Sequence, residues 1–192
     1  MRPAIFFDRD GTLNQEVGYA GRPEDFHIFP FAAEAVRRAR AAGFAAVVVT
    51  NQAGVARGYY QESAIAVLHA LLRDHLTAAG TALDGIYYCP HHPNGTVAPY
   101  AGVCVCRKPG PGMLHQAAAD LALDLARSWV IGDRDVDVDL AHAVGARAVL
   151  IRTGYGVTTE ANLGLPDRVT AAPPEHIADN ALAAVDWIAQ CP

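Results

Sequence analysis

Two hydrophobic patterns alternate along the chain. Short runs of consecutive apolar residues suit strands that are buried on both faces, whereas longer segments with an apolar residue every three or four positions suit amphipathic helices. The runs predict strands over residues 4–8, 44–50, 85–88, 128–133 and 147–152. The longer segments predict helices over residues 31–42, 61–79, 111–123 and 178–190. Strands that alternate with helices indicate a doubly wound, Rossmann-like α/β fold with a parallel sheet and helices on both faces.

The segments between these elements are too short or too irregular to form a second domain. The segment 14–30 is too short to be a domain, and a helix, a strand and one loop account for most of residues 52–107. The segment 153–166 resembles a loop with about one turn of helix. We see no internal repeat and no linker in the chain. We therefore expect residues 1–192 to form a single domain without a separate lid over the active site.

Candidate catalytic side chains stand at the ends of the predicted elements. Asp8 and Asp10 follow the first strand, Thr50 ends the second, Lys108 precedes a helix, and Asp133 ends a later strand. Carboxyl ends of parallel strands share one edge of a sheet, so these groups should meet there. Two carboxylates so close need a cation such as Mg²⁺, and a lysine can hold phosphate. Each residue alone also suits a turn, a helix cap or a solvated surface, so their order carries the prediction.

A second group of polar residues predicts a zinc site. Cys89, His91, Cys104 and Cys106 fall within 18 residues of one another, and three thiols with one imidazole suit tetrahedral Zn²⁺ with no open position. Such an ion would pin the loop over residues 89–106 and take no part in the chemistry. The matched Cys-x-His and Cys-x-Cys spacing favours His91, although His92 is an alternative ligand. A disulfide or buried free thiols are the other interpretations of these cysteines.

Composition narrows the class of protein further. The chain has 192 residues, of which 52% are hydrophobic and 18% charged, as expected of a folded enzyme with a sizeable core. Its net charge of −5 offers no basic surface for nucleic acid, so an anionic partner should be a small molecule. The first apolar run is too short for a signal peptide, and no run could cross a membrane, which favours a cytoplasmic location and reduced thiols. The isolated Cys191 is interpreted as incidental.

The candidate catalytic groups occur in a fixed order across residues 5–137, with an acid pair first, then a hydroxyl, a lysine and a further acid. This order resembles the four motifs of the haloacid dehalogenase superfamily of phosphatases. Within that superfamily, the segments 50–58, 85–95 and 104–109 are similar to the family of D-glycero-D-manno-heptose 1,7-bisphosphate 7-phosphatases. The resemblance implies a capless haloacid dehalogenase-type fold and a phosphosugar substrate. It also implies a product that feeds heptose synthesis for lipopolysaccharide core or surface glycans.

The resemblance further implies roles for individual residues. Asp8 would attack phosphorus, Asp10 would protonate the leaving oxygen and then activate water, and Thr50 and Lys108 would hold the phosphoryl oxygens. Asp8, the main-chain carbonyl of Asp10, and Asp133 would hold Mg²⁺. The substrate-binding residues implied in the same way are Arg9, Gly18, Tyr19, Asn51, Gln52, Ala53, Arg107 and Arg134.

Two alternatives remain open at this point. A histidinol-phosphate phosphatase would share the four motifs and a similar zinc loop, but the twelve residues between His91 and Cys104 favour the bisphosphatase. A non-catalytic phosphosugar-binding protein is disfavoured because every catalytic position holds a competent residue. Asp137 takes the second position of the last motif, which leaves Asp135 and Asp139 as solvated or capping residues. A monomer is the simplest expectation, and the preferred anomer at carbon 1 stays open.

Overall fold

The computed structural model describes residues 1–163, 165 and 172–191, and a six-stranded sheet runs through its centre. The strands are β1 (Ala4–Phe7), β2 (Ala45–Asn51), β3 (Gly85–Cys89), β4 (Trp129–Gly132), β5 (Arg147–Ile151) and β6 (His176–Ala178). Their order is β3-β2-β1-β4-β5-β6, and every neighbouring pair is parallel. The five predicted strands are confirmed, with each end within one residue of its predicted position.

Six helices connect and cover the strands. They are α1 (Ala32–Ala41), α2 (Glu62–Ala78), α3 (Gly112–Leu121), α4 (Asp135–Ala143), α5 (Gly156–Ala161) and α6 (Ala181–Ile188). Single-turn 3₁₀ helices occur at Pro23–Asp25 and Leu125–Arg127. The helix α4 was not predicted, and the six-residue helix α5 lies in the segment expected to be mostly loop. Residues 164 and 166 of that segment lie outside the described residues.

The last predicted helix begins later than expected. Residues 178–190 were predicted to be helical, but Ala178 ends β6 and α6 starts at Ala181. The side chain of Asn180 caps α6, because its Oδ1 accepts a hydrogen bond of 3.0 Å from the backbone N–H of Ala183. A cap fixes the first turn of a helix, so the chain between β6 and Ala181 is excluded from it.

The sheet is buried on both faces, which explains its apolar strands. Alternate residues of β1 enter two hydrophobic clusters, with Ile5 and Phe7 in one and Ala4 and Phe6 in the other. Helices α1, α2 and α6 contribute to the first cluster, and α3 and α4 contribute to the second. The predicted doubly wound α/β fold is therefore confirmed.

The strand order places a crevice at the centre of the sheet. Strand β1 lies between β2 and β4, and the chain fills one side of the sheet through β3 before it crosses to the other side. Ligands bind at such a switch point, outside the carboxyl ends of the strands. None of the described helices is long and apolar enough to span a membrane.

Candidate active site

A pocket of about 210 Å³ opens at the carboxyl ends of the central strands. It is lined by most of the residues that the sequence singled out for catalysis and substrate binding. These are Asp8, Asp10, Gly18, Tyr19, Thr50, Asn51, Gln52, Ala53, Arg107, Lys108 and Arg134. Asp133 and Arg9 are fully buried and do not line it. Five lining residues were not predicted, namely Glu16, Ala20, Tyr60, Val136 and Tyr155.

Lys108 forms ion pairs with two buried carboxylates at the floor of the pocket. Its Nζ lies 2.8 Å from Oδ1 of Asp8 and 2.6 Å from Oδ1 of Asp137, and it donates a hydrogen bond of 3.1 Å to the carbonyl of Val49. Burial would lower the pKa of Lys108, but the two carboxylates raise it above its usual range. The ammonium group therefore stays charged where a phosphoryl group would meet it.

The backbone of Lys108 is held by the side chain of Asn51. The Nδ2 of Asn51 donates to the carbonyl of Lys108 at 3.2 Å, and the N–H of Lys108 donates to Oδ1 of Asn51 at 3.0 Å. Asn51 ends β2, so this reciprocal pair ties the loop that carries Lys108 to the central sheet. The sequence predicted that Asn51 lines the substrate pocket, and the structure adds this contact with the lysine backbone.

Asp10 is enclosed by hydrogen-bond donors. Its oxygens accept bonds from Nε and Nη2 of Arg9 at 3.2 and 2.9 Å, from Nδ2 of Asn14 at 2.8 Å, and from Nε2 of Gln52 at 2.8 Å. Burial would raise the pKa of Asp10, but the charge of Arg9 and these hydrogen bonds lower it below its usual value. The hydroxyl of Tyr60 donates to Oε1 of Gln52 at 2.8 Å, which orients the amide so that its N–H group faces Asp10.

Arg9 supports the pocket from below. The motif resemblance implied that Arg9 binds the substrate, but its side chain is fully buried against Asp10 and does not line the pocket. Its guanidinium also lies 5.3 Å from the ring centroid of Phe26. Arg9 is placed to hold Asp10 in position and to keep it ionised.

Three buried carboxylates form a candidate metal centre. Asp8, Asp133 and Asp137 each offer an oxygen within 4.8 Å of the others. The backbone N–H of Tyr155 donates to Oδ2 of Asp133 at 2.7 Å, while Oδ1 of Asp133 is buried and has no hydrogen-bond partner among the described residues. Burial, together with repulsion from Asp8 and Asp137, raises the pKa of Asp133 to about 8. A hard divalent cation with oxygen ligands would satisfy the orphan oxygen and offset the repulsion.

The three carboxylates are not equivalent. Asp137 was not predicted to bind metal, and its Oδ1 accepts from Lys108 and its Oδ2 from the backbone N–H of Arg134 at 3.2 Å. It therefore serves as the counter-ion of Lys108, whereas Asp133 keeps an oxygen available for a cation. Gly11 lies against Asp133 with φ of +83°, and a Cβ at that position would lie 2.3 Å from Oδ2 of Asp133. The glycine after the acid pair is thus required both by the turn and by this close approach.

The cysteine cluster assembles around one point. The Sγ atoms of Cys89, Cys104 and Cys106 are 2.9 to 3.5 Å apart, and Nδ1 of His91 lies 3.7 and 3.4 Å from the sulfurs of Cys89 and Cys106. Zn–S bonds of about 2.3 Å place tetrahedral sulfurs about 3.8 Å apart. The separations of 3.4 and 3.5 Å approach this value and the separation of 2.9 Å is shorter, so it is the chemistry of three thiols and one imidazole that fits zinc. The cysteines are free, which excludes the disulfide interpretation for this structure.

His92 is turned away from this cluster. Its Nε2 lies 3.1 Å from Nη2 of Arg57, and its Nδ1 accepts a hydrogen bond of 3.0 Å from the backbone N–H of Asn94. His91 is the histidine that the structure groups with the thiols. The next residues of the loop reach the pocket, because Arg107 follows Cys106 and donates through Nη1 to the carbonyl of His91 at 3.3 Å. A closed cluster would therefore fix Arg107 in the pocket wall.

Comparison with known proteins identifies the family. A family model described as HAD-hydrolase-like matches residues 105–184. A curated D-glycero-D-manno-heptose-1,7-bisphosphate 7-phosphatase from Thermosynechococcus vestitus is 45% identical over 197 aligned positions, which cover 97% of this chain and 95% of the relative. The chain belongs to this phosphatase family. A curated D-glycero-beta-D-manno-heptose-1,7-bisphosphate 7-phosphatase from Escherichia coli K12 is 45% identical over 161 positions, which cover 83% of this chain and 84% of the relative.

Solved structures agree with this family. The D,D-heptose 1,7-bisphosphate phosphatase of B. bronchiseptica, solved in complex with magnesium and phosphate, matches with a TM-score of 0.84 at 30% identity and covers 98% of both chains. The enzyme of Burkholderia thailandensis matches with a TM-score of 0.71 at 25% identity and covers 99% of this chain and 100% of that one. The predicted membership of the haloacid dehalogenase superfamily is confirmed, and neither the histidinol-phosphate phosphatase nor the non-catalytic alternative is favoured.

Proposed function

We propose that this heptose bisphosphatase family member is a Mg²⁺-dependent phosphatase that removes the 7-phosphate of D-glycero-D-manno-heptose 1,7-bisphosphate. The observation that supports it most is the floor of the pocket, where Oδ1 of Asp8 lies 2.8 Å from Nζ of Lys108. Asp133, which offers a ligand oxygen within 4.8 Å of one from Asp8, is beside this pair. A nucleophile, a fixed cation and a candidate metal ligand therefore converge on one place where a phosphoryl group can sit.

The reaction divides into two displacements on phosphorus. In the first, a carboxylate oxygen of Asp8 forms a bond to phosphorus while the bond to the sugar oxygen breaks, and Asp10 gives that oxygen a proton. In the second, Asp10 takes a proton from water, and the water oxygen attacks the aspartyl phosphate and releases inorganic phosphate and free Asp8. The donors around Asp10 keep it ionised for the second step, and a nearby anionic substrate would raise its pKa for the first.

Two side chains are placed to hold the phosphoryl oxygens. Lys108 supplies a charge that is already held by Asp8 and Asp137. The hydroxyl of Thr50 accepts a hydrogen bond of 2.9 Å from Nε2 of Gln52, which leaves its own hydrogen free to donate to phosphate. Donors that are fixed before the reaction stabilise developing charge without reorganisation.

Two ions are proposed with different roles. The carboxylates of Asp8 and Asp133 and the main-chain carbonyl of Asp10 would hold Mg²⁺, which would offset charge on the transferring phosphoryl oxygens when it is bound. Cys89, His91, Cys104 and Cys106 would hold a structural Zn²⁺. The four protein ligands leave that ion no open position, so it would shape the loop beside the pocket and perform no chemistry.

The remainder of the pocket would bind the sugar and the phosphate that is retained. Gly18 and Tyr19 line one side, Asn51, Gln52 and Ala53 line another, and Arg107 and Arg134 supply positive charge. One chain contributes all these groups, which supports a single domain that works as a monomer. A zinc thiolate site would require thiols that are not oxidised, which favours a cytoplasmic location.

Phosphorus NMR of the reaction products tests this proposal. With Mg²⁺ present, the signal of the 7-phosphate monoester should disappear while the signal of the phosphate at carbon 1 is retained. The Asp8→Asn variant is the matched control and should leave both signals unchanged. Loss of the phosphate at carbon 1, or no loss of either phosphate from the unmodified enzyme, would contradict the proposed function.

A further inference from the structure

The loop after β5 is anchored to the catalytic centre through its backbone. Oγ1 of Thr153 donates to the carbonyl of Gly11 at 2.6 Å, and the N–H of Tyr155 donates to Oδ2 of Asp133 at 2.7 Å. Between them, Gly154 has φ of +57°, and a Cβ there would lie 2.1 Å from Oδ2 of Asp133. The position of this loop is therefore fixed by contacts that do not involve the side chain of Tyr155.

The side chain of Tyr155 meets an arginine in the pocket wall. Tyr155 lines the pocket and is 43% exposed as a residue, and Cζ of Arg134 lies 5.0 Å from its ring centroid. A guanidinium over an aromatic face at this distance forms a cation–π contact. The N–H groups of Arg134 that do not face the ring stay available to donate to phosphate oxygens.

The cations of the pocket differ in whether they form ion pairs with carboxylates. Lys108 is paired with Asp8 and Asp137. In the part of the chain that the structure describes, no ion pair within 4.0 Å involves Arg134 or Arg107. Both guanidiniums line the same pocket, so their positive charges repel each other there. An anion other than the transferring phosphoryl group would relieve this repulsion.

We propose that Tyr155 is a positioning residue for substrate selection, whose ring holds Arg134 so that the guanidinium binds the phosphate that is not transferred. This inference rests on the proposed function, because it requires a substrate with two phosphates. Lys108 and Thr50 serve the phosphate that reacts, and Arg134 serves the one that remains. Tyr155 acts on the retained phosphate through Arg134.

Steady-state kinetics of Tyr155→Leu and Tyr155→Phe test this role. Leucine keeps an apolar side chain but removes the aromatic face, so the KM for heptose 1,7-bisphosphate should rise ~2- to 5-fold, the range given by an exposed cation–π contact, while kcat stays the same. Phenylalanine keeps the face and should restore the parent KM. For p-nitrophenyl phosphate, which has one phosphate, the KM of Tyr155→Leu should rise less than it does for the bisphosphate, and turnover of this substrate shows that the variants are folded.

A double-mutant cycle with Arg134→Ala separates this role from a general effect on the pocket. Arg134→Ala should raise the KM for the bisphosphate more than Tyr155→Leu does. When Arg134 is already alanine, Tyr155→Leu should cause no further rise in KM. The inference is overturned by any of three results. Tyr155→Leu raises KM equally for both substrates, it raises KM for the bisphosphate as much in the Arg134→Ala background as in the parent, or Tyr155→Phe raises KM as much as Tyr155→Leu does. If the parent enzyme does not hydrolyse the bisphosphate, the proposed function fails; if it does and this pattern is absent, only the inference fails.

Discussion

Substitution of Asp133 by asparagine should stabilise the metal-free protein. The carboxyl of Asp133 is fully buried, and burial with repulsion from Asp8 and Asp137 raises its pKa from 3.8 to about 8. A carboxyl with a raised pKa in the folded state contributes stability that is fully present below pH 3.8. This stability is lost progressively as the pH rises from 3.8 through about 8. Between its two pKa values the carboxyl ionises in the unfolded chain but not in the folded one, which lowers the free energy of unfolding by about 1.4 kcal/mol per pH unit. At pH 7, roughly three units above the lower pKa, the loss of stability is about 4 kcal/mol.

Asparagine has nearly the same shape as aspartate and does not ionise. Its side-chain oxygen can still accept the hydrogen bond from the N–H of Tyr155. Without Mg²⁺, the variant should therefore be more stable than the parent by up to about 4 kcal/mol at pH 7, and by no more than about 2 kcal/mol at pH 5. Each kcal/mol corresponds to about 2–4 °C in Tm for a protein of this size. Mg²⁺ should raise the Tm of the parent and leave that of Asp133→Asn nearly unchanged.

Thermal melts at pH 5 and pH 7, with and without Mg²⁺, measure this effect. Mg²⁺ should be removed by dialysis, because a strong chelator would also attack the cysteine cluster. Asp74→Asn, at an exposed position of α2, is the matched control and should change stability by less than about 0.5 kcal/mol. The reasoning is refuted if metal-free Asp133→Asn melts at or below the parent temperature at pH 7 and is still stabilised by Mg²⁺.

The other predictions concern the nucleophile, the lysine and the cysteine cluster. Asp8→Asn should abolish phosphate release while the melting temperature stays at or above that of the parent, and activity near the parent level would remove Asp8 as the nucleophile. Lys108→Ala should raise KM and lower kcat, because its charge is needed most as the phosphoryl group transfers; unchanged kinetics would assign that role to another cation. Metal analysis should find about one Zn²⁺ per chain in the parent and in Cys191→Ser but none in Cys106→Ser, and a zinc-free, fully active parent would disprove a structural ion.

The sheet and the positions of the candidate catalytic groups were predictable because both follow from simple rules. A strand buried on both faces must be a continuous apolar run, so β1 and β2 stand out in the sequence. Parallel strands end at one edge, so Asp8, Thr50 and Asp133 could be expected to meet there. The cysteine cluster was equally accessible, since its four donors lie on one loop and need only local spacing to close around an ion.

The elements that were missed lack these signals. Strand β6 has three residues, too few to form a recognisable run, and it takes its place only by pairing with β5. The first turns of α4 read Asp-Val-Asp-Val, which obscures the helical period. Its helical conformation is instead favoured by Asp137, whose carboxylate accepts the N–H of Arg134 at the start of the helix.

The supporting residues of the pocket depend on contacts between distant parts of the chain. Tyr60 orients Gln52, and Gln52 in turn bonds to Asp10, which is 42 positions away. Arg9 sits in the first motif, but only the packing shows that its guanidinium supports Asp10 from below the pocket. Tyr155 follows β5, so the rule that places ligands at strand ends could have found it, although its contact with Arg134 could not be inferred from spacing.

The most direct test of the account is kcat/KM for phosphate release, measured with Mg²⁺ for both anomers of heptose 1,7-bisphosphate and for histidinol phosphate. The account predicts that one bisphosphate anomer has the highest kcat/KM of the three, since the pocket offers Arg107 and Arg134 to a second phosphate. The preferred anomer would then identify the branch of heptose synthesis. A higher kcat/KM for histidinol phosphate would contradict the proposed substrate while leaving Asp8 as nucleophile, and no turnover of any of the three would contradict the phosphatase assignment itself.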